Sequence, residues 1–149
     1  PAELVDQVHM AGLLHDIGKI GFRDRIFAND DTSPTPGMLA DIRRHPSIGA
    51  MILAPLDFLG PVREYVLCHH ERLDGRGYPE ARVGEAIPLG ARILAVADVF
   101  DAVTTDRPYQ KGRDRDSAFI ILRMLSGEHL DPELVELFIE DVLAKGVEA

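Results

Sequence analysis

Two adjacent imidazoles, His69 and His70, run into the acidic, glycine-punctuated segment Glu71-Arg72-Leu73-Asp74-Gly75-Arg76-Gly77-Tyr78-Pro79, the stretch of this chain best equipped for chemistry. Imidazole and carboxylate are ligands for divalent metals, and further donors of these types stand at His15-Asp16, His45 and Asp98. A fold that gathered them would hold a cluster of nitrogen and oxygen donors. Spacing alone does not show that it does. Taken singly, each histidine reads as a surface residue or a hydrogen-bonded core residue, and only the joint pattern favours a metal.

Other residues fit around such a cluster. Asp98 and Asp101 lie at i,i+3 in an otherwise apolar run, so a helix places them on one face. Carboxylates on a face suited to burial need partners. A metal or a ligated histidine would serve, and solvation on a helix surface is the alternative. His15 and Asp16 project about 100 degrees apart on a helix and can grip one cluster from two sides. Lys19, four positions after His15, comes within reach of a group bound there. Gly75 and Gly77 permit close backbone approach, so the loop from Asp74 to Pro79 reads either as a pocket wall, with Tyr78 packing on a base or a partner, or as a structural turn.

The elements that must position these groups are helical. Leu4, Val5, Val8, Ala11, Leu13 and Leu14 recur near helical spacing, with Gly18 a stop just after His15-Asp16. Residues 21–36 read as loop. A short helix over about Gly37 to Arg44 is expected to end near His45, exposing it, because Pro46 disfavours helical backbone in the residue before it. Further helices are expected over Ser47 to Leu53, Pro61 to His70, Leu89 to Thr105, Asp116 to Leu125 and Pro132 to Lys145. The last has Asp131 as N-cap, Pro132 at its first position and Gly146 just beyond its end. The fold class is all-α, since the apolar run Arg92 to Ala97 continues to Val103 at helical length.

Composition narrows the function. The 149 residues, 46% apolar, suffice for one core and one domain. The formal charge of −9 disfavours nucleic-acid polymers and anionic membranes, so an anionic substrate must be met by local cations. No apolar run approaches the roughly 20 residues of a membrane span, which suggests a soluble, cytoplasmic protein. The single cysteine, Cys68, excludes a disulfide framework or a multi-thiolate zinc site and reads as buried in Tyr65-Val66-Leu67-Cys68.

In order along the chain, His15-Asp16-Ile17-Gly18-Lys19, His45-Pro46, His69-His70-Glu71, Asp74-Gly75-Arg76-Gly77-Tyr78-Pro79, Ala97-Asp98-Val99-Phe100-Asp101-Ala102, Arg107-Pro108-Tyr109 and His129-Leu130-Asp131-Pro132 resemble the signature of HD-GYP domains nearly end to end. The resemblance implies an HD-superfamily helical bundle with a Gly-Tyr-Pro loop, spanning residues 1–149. It implies a phosphodiesterase that hydrolyses the bacterial second messenger cyclic di-GMP to linear pGpG or GMP at two or three divalent metals. Iron or manganese is expected there, and zinc and nickel suit the same donors.

Carried over by position, the resemblance makes His15, Asp16, His45, His69, His70 and Asp98 metal ligands, with Asp16 the bridge. Lys19 and Arg107 become phosphate contacts, Gly77, Tyr78 and Tyr109 line the substrate pocket, and Glu71 and Asp101 orient ligands. Two departures stand out. The family normally supplies another histidine from an upstream helix, for which His9 is no substitute, so the domain is expected to be incomplete at its N-terminus and the isolated chain weak or inactive. Gln110 stands where a basic residue often follows Arg-Pro-Tyr. Two other functions stay open: a phosphohydrolase acting on another nucleotide or cyclic dinucleotide, and a non-catalytic signalling module binding nucleotide or a partner domain through the Gly-Tyr-Pro loop. An upstream sensory or receiver domain and self-association are compatible with all three.

Overall fold

The computed structural model describes residues 2–21, 35–106 and 111–146. Seven α-helices account for most of them: α1 (Ala2–Leu14), α2 (Pro36–Ile42), α3 (His45–Leu53), α4 (Val62–Cys68), α5 (Leu89–Thr104), α6 (Arg115–Leu125) and α7 (Pro132–Lys145). Short 3-10 turns lie at Ile17–Gly21, Asp57–Leu59 and Gly84–Ala86. Among the described residues extended pairing is confined to two isolated bridges, Asp74 with Val83 and Ser126 with Leu130. The expected all-α class holds. No helix among the described residues is long and apolar enough to cross a membrane.

The helix ends follow local chemistry. Asp131 caps α7 by accepting from the backbone N–H of Glu133 and Leu134, Pro132 opens the helix, and Gly146 closes it in the left-handed region at φ 61°. Thr35 and Asp114 cap α2 and α6 in the same way. His45 corrects an expectation. A new helix begins there, with Pro46 in the first turn where a missing N–H costs nothing, and His45 is 1% exposed. Gly18 corrects another, since α1 already ends at Leu14 and Gly18 sits inside the 3-10 turn that follows.

Two apolar clusters share α5. The first joins Ala11 of α1, Leu53 of α3, Val62, Tyr65, Val66 and Cys68 of α4, and Ala91 and Leu94 of α5. The second joins Ala95 and Val96 of α5 to Phe119 and Leu122 of α6 and to Val135, Ile139 and Val142 of α7. Arg92 ties the two halves further, its Nη1 donating to Asp131 Oδ2 at 2.6 Å. As expected, Cys68 is buried, and burial pushes its thiol up to about 12.

Close backbone approach sets the mouth of the first cluster. A Cβ on Gly18 would overlap the His45 carbonyl oxygen and crowd Gly49 N at 2.7 Å, and a Cβ on Gly49 would meet Gly18 N at 3.5 Å. This pair of glycines lets the 3-10 turn lie directly on the start of α3, which carries Asp16 and Lys19 up to His45. Gly18→Ala should therefore force the two backbones apart and cost about 1 to 3 kcal/mol of stability, as overpacking does. A urea denaturation midpoint that falls with unchanged slope would register it; an unmoved midpoint would contradict the close packing.

Candidate metal centre

Three imidazoles are set by one repeated device. The Nδ1 atoms of His15, His45 and His69 each lie 2.7 Å from a carbonyl oxygen three residues earlier, those of Gly12, Ile42 and Val66. The three carbonyls belong to the last turns of α1, α2 and α4, where helices leave carbonyls without intrahelical partners. A carbonyl oxygen only accepts, so each Nδ1 carries the proton and, in the neutral ring, each Nε2 presents a lone pair.

Those Nε2 atoms converge. His45 Nε2 and His69 Nε2 stand 3.2 Å apart, and the ligand atoms of His45, His69 and His70 all lie within 4.8 Å of one another. Asp16 spans the group: its Oδ2 is 3.4 Å from His15 Nε2 and its Oδ1 is 3.6 Å from His45 Nε2. Asp98, from the middle of α5, brings Oδ1 to 3.7 Å from His15 Nε2. His15, Asp16, His45, His69, His70 and Asp98, drawn from four stretches of chain, are thus brought together by these contacts.

The electrostatics suit a cation. Burial pushes His69 and His70 down to about 3 and lowers His45, so these rings stay neutral. Two neutral rings with lone pairs facing at 3.2 Å repel unless a positive centre lies between them, and a divalent ion satisfies both. Asp16 is half-buried, which opposes ionisation, yet hydrogen bonds from His15 and Lys19 hold its carboxyl well below the usual range. The hydrogen bond to Asp16 raises His15 against the opposing effect of burial, so a metal competes with a proton for that Nε2. A set of imidazole and carboxylate donors without thiolate fits borderline divalent metals.

Lys19 differs in detail from its expected place. Its Nζ donates to Asp16 Oδ2 at 2.6 Å, beside the ligand atoms rather than out over them. An ammonium has three donors. Glu71 is 2% exposed and accepts from the backbone N–H of Glu80 at 2.7 Å and of Arg82 at 3.0 Å, so its carboxylate fastens the loop. Asp101, in the last turn of α5, is exposed and accepts from Thr105 Oγ1 at 3.2 Å.

In the Gly-Tyr-Pro loop, Gly77 serves the loop itself, since a Cβ there would overlap the backbone of Glu71 and Arg72. Tyr78 stacks on His70, with centroids 5.0 Å apart and planes 28° apart, and Arg43 lies over the Tyr78 ring at 5.7 Å. Burial pushes the Tyr78 phenol up to about 12, so it acts as a neutral ring. Arg107, Tyr109 and Gln110 lie outside the described residues. Sequence reading missed the latch on Glu71, the place of Arg43 and the fork from Arg72 to Asp74 at 3.0 and 2.6 Å. Only the last has a local signal, a cation and a carboxylate two residues apart.

Comparison with known proteins places these features in a family context. The family model described as "HD domain" matches residues 1–134. A cyclic di-GMP phosphodiesterase of Pseudomonas aeruginosa is 42% identical over 148 residues, covering 95% of this chain and 34% of the relative. One from Thermotoga maritima is 41% identical over 140 residues, covering 91% of this chain and 37% of the relative. A 3'3'-cGAMP-specific phosphodiesterase of Vibrio cholerae is 34% identical over 142 residues, covering 91% of this chain and 26% of the relative. The chain thus spans well under half the length of these relatives. In fold, it resembles the crystal structure of a cyclic GMP-AMP-specific phosphodiesterase of V. cholerae, with a TM-score of 0.64 and 23% identity over 93% of this chain and 38% of that one.

Asp16→Asn preserves shape but removes the charge that spans His15 and His45. Metal analysis should show loss of at least one equivalent of divalent ion relative to the unsubstituted chain, and undiminished occupancy would reject the bridging geometry.

Proposed function

The chain belongs to the HD domain family, and from that premise we propose that it hydrolyses a phosphodiester bond of cyclic di-GMP at the cluster around Asp16. The observation that carries this reading is the set of facing imidazole Nε2 atoms, spanned by one carboxylate, with the Lys19 ammonium 2.6 Å from that carboxylate. The names of the 41 and 42% identical relatives support the substrate. The products are linear pGpG or GMP.

His15, Asp16, His45, His69, His70 and Asp98 would hold two or three divalent ions, iron or manganese by preference. When bound, such ions supply Lewis acidity and lower the pKa of water. The chain's own contribution is position and charge. The Nδ1 hydrogen bonds of His15, His45 and His69 keep those three rings pointing inward before any ion arrives, so little reorganisation of them accompanies loading. Lys19 keeps donors beyond the one given to Asp16 and offers one to a non-bridging phosphoryl oxygen, neutralising charge that grows as water attacks in line. By the family resemblance, Arg107 would offer the second phosphate of the cyclic substrate a fork of donors, and Tyr109 would contact the substrate beside it. In a chain of net charge −9 these local cations are what draws in an anionic dinucleotide. Hydrolysis of an intracellular messenger places the protein in the cytoplasm, and an upstream sensory or receiver domain would control it.

The relatives named for 3'3'-cGAMP, at 34 and 35% identity, support a second cyclic dinucleotide as an alternative substrate. A panel of cyclic di-GMP, 3'3'-cGAMP and a nucleoside monophosphate, tested on the metal-loaded protein, discriminates the readings. Turnover of the first above the second supports the proposal, the reverse order supports the alternative, and comparable turnover of the monoester reassigns the chain to general phosphohydrolysis. In the same assay Lys19→Ala should lower kcat by about 100-fold, as removal of one charge-stabilising donor does, with metal content retained. Loss of metal in parallel with activity would make Lys19 a support of Asp16 instead.

A further inference from the structure

His70 is the exception among the clustered histidines. His15, His45 and His69 are each oriented by an Nδ1–H bond to a backbone carbonyl, whereas no hydrogen bond among the described residues holds the His70 ring. Its contacts are with other rings: His69 at 4.1 Å, His45 at 5.0 Å and Tyr78 at 5.0 Å, the last nearly parallel at 28°. Tyr78 is itself held from several directions. Its backbone N–H donates to the His70 carbonyl at 3.2 Å, and the Arg43 guanidinium covers its ring at 5.7 Å. The bare Cα of Gly77 lets the loop fold back against Glu71 and Arg72. Beyond Tyr78, the buried Glu71 carboxylate holds the returning strand of the loop through the N–H groups of Glu80 and Arg82.

We propose that the Gly-Tyr-Pro loop is a ring clamp for one metal ligand: Glu71 latches the loop, the latched loop sets the plane of Tyr78, and Tyr78 fixes the rotamer of His70. Glu71 and Tyr78 are positioning residues, acting through His70. The clamp does for His70 what a helix-terminal carbonyl does for the other three. His69 takes the Val66 carbonyl from the last turn of α4, and no hydrogen bond among the described residues does the same for its neighbour His70. A stacked ring restrains a side-chain torsion without requiring a donor or acceptor, and a cation over a ring strengthens the packing of that ring.

The clamp rests on His70 being a metal ligand, and the test separates the two claims. Metal-free full chain is titrated with Co2+, following visible absorption and competition with a chromogenic chelator. Tyr78→Leu keeps apolar bulk but removes the ring plane. It should weaken Co2+ binding about 10-fold, the scale seen when a ligand's outer support is lost, and alter the absorption band. Tyr78→Phe should restore both. Glu71→Gln, whose amide turns a donor toward a donor, should fall between. In a His70→Ala background neither Tyr78→Leu nor Glu71→Gln should weaken binding further. If His70→Ala alone leaves Co2+ binding unchanged, the ligand reading fails. If His70→Ala weakens binding but Tyr78→Leu does not, or weakens it equally in both backgrounds, the clamp is overturned. Should Tyr78→Leu lose its fold, Glu71→Gln decides by the same dependence on His70.

Discussion

The hydrogen bond from an imidazole Nδ1–H to a carbonyl three residues earlier, made alike by His15, His45 and His69 at 2.7 Å, is the constraint on which the rest of the site depends. It resolves two needs with one contact. A helix ending inside a protein leaves carbonyls that must find donors, and a ligand imidazole must have one nitrogen protonated and the other directed at the metal. Placing a histidine at a helix terminus answers both, so the ends of α1, α2 and α4 are finished by the same groups that build the centre. The short helices then follow naturally: three helix ends must meet at one point, and α2 and α4 span only Pro36–Ile42 and Val62–Cys68.

Much of the scaffold was legible from sequence because its signals are local. Asp131, Pro132 and Gly146 mark both ends of α7 with side-chain chemistry that depends on no distant residue. The ligand types were legible for the same reason, since imidazole and carboxylate are rare reasons to interrupt apolar helices. His45 was misjudged because the rule about the residue before proline describes a helix that stops and cannot distinguish it from one that starts. Pro46 belongs to the first turn of α3. Only the arrival of the 3-10 turn at Gly18 explains why His45 is buried there.

Two of the remaining differences depend on contacts beyond a single helical turn, and one is local. Glu71 stands next to His69 and His70 and invites a role toward them, yet its carboxylate is taken by N–H groups nine and eleven residues later. Asp101 shares a face with Asp98 by periodicity, but it is exposed and its carboxylate accepts from Thr105 one turn further on. Arg43 meets Tyr78 across a gap in sequence that no motif records. For Glu71 and Arg43 the residue's type is right for chemistry and its partner is decided by how the loop closes.

The sharing of α5 between the two apolar clusters links the site to the distant half of the molecule. Ala91 and Leu94 face one cluster, Ala95 and Val96 face the other, and Asp98 follows within a turn. A helix embedded in both clusters couples loosening at one end to seating at the other, so the two clusters are expected to open together. Any ion held through Asp98 is then linked by mass action to that whole unit. Loading raises the free energy of opening even at Phe119, Phe138 and Ile139, which touch no ligand. Amide exchange in α6 and α7 becomes a remote gauge of occupancy at the opposite end of the fold.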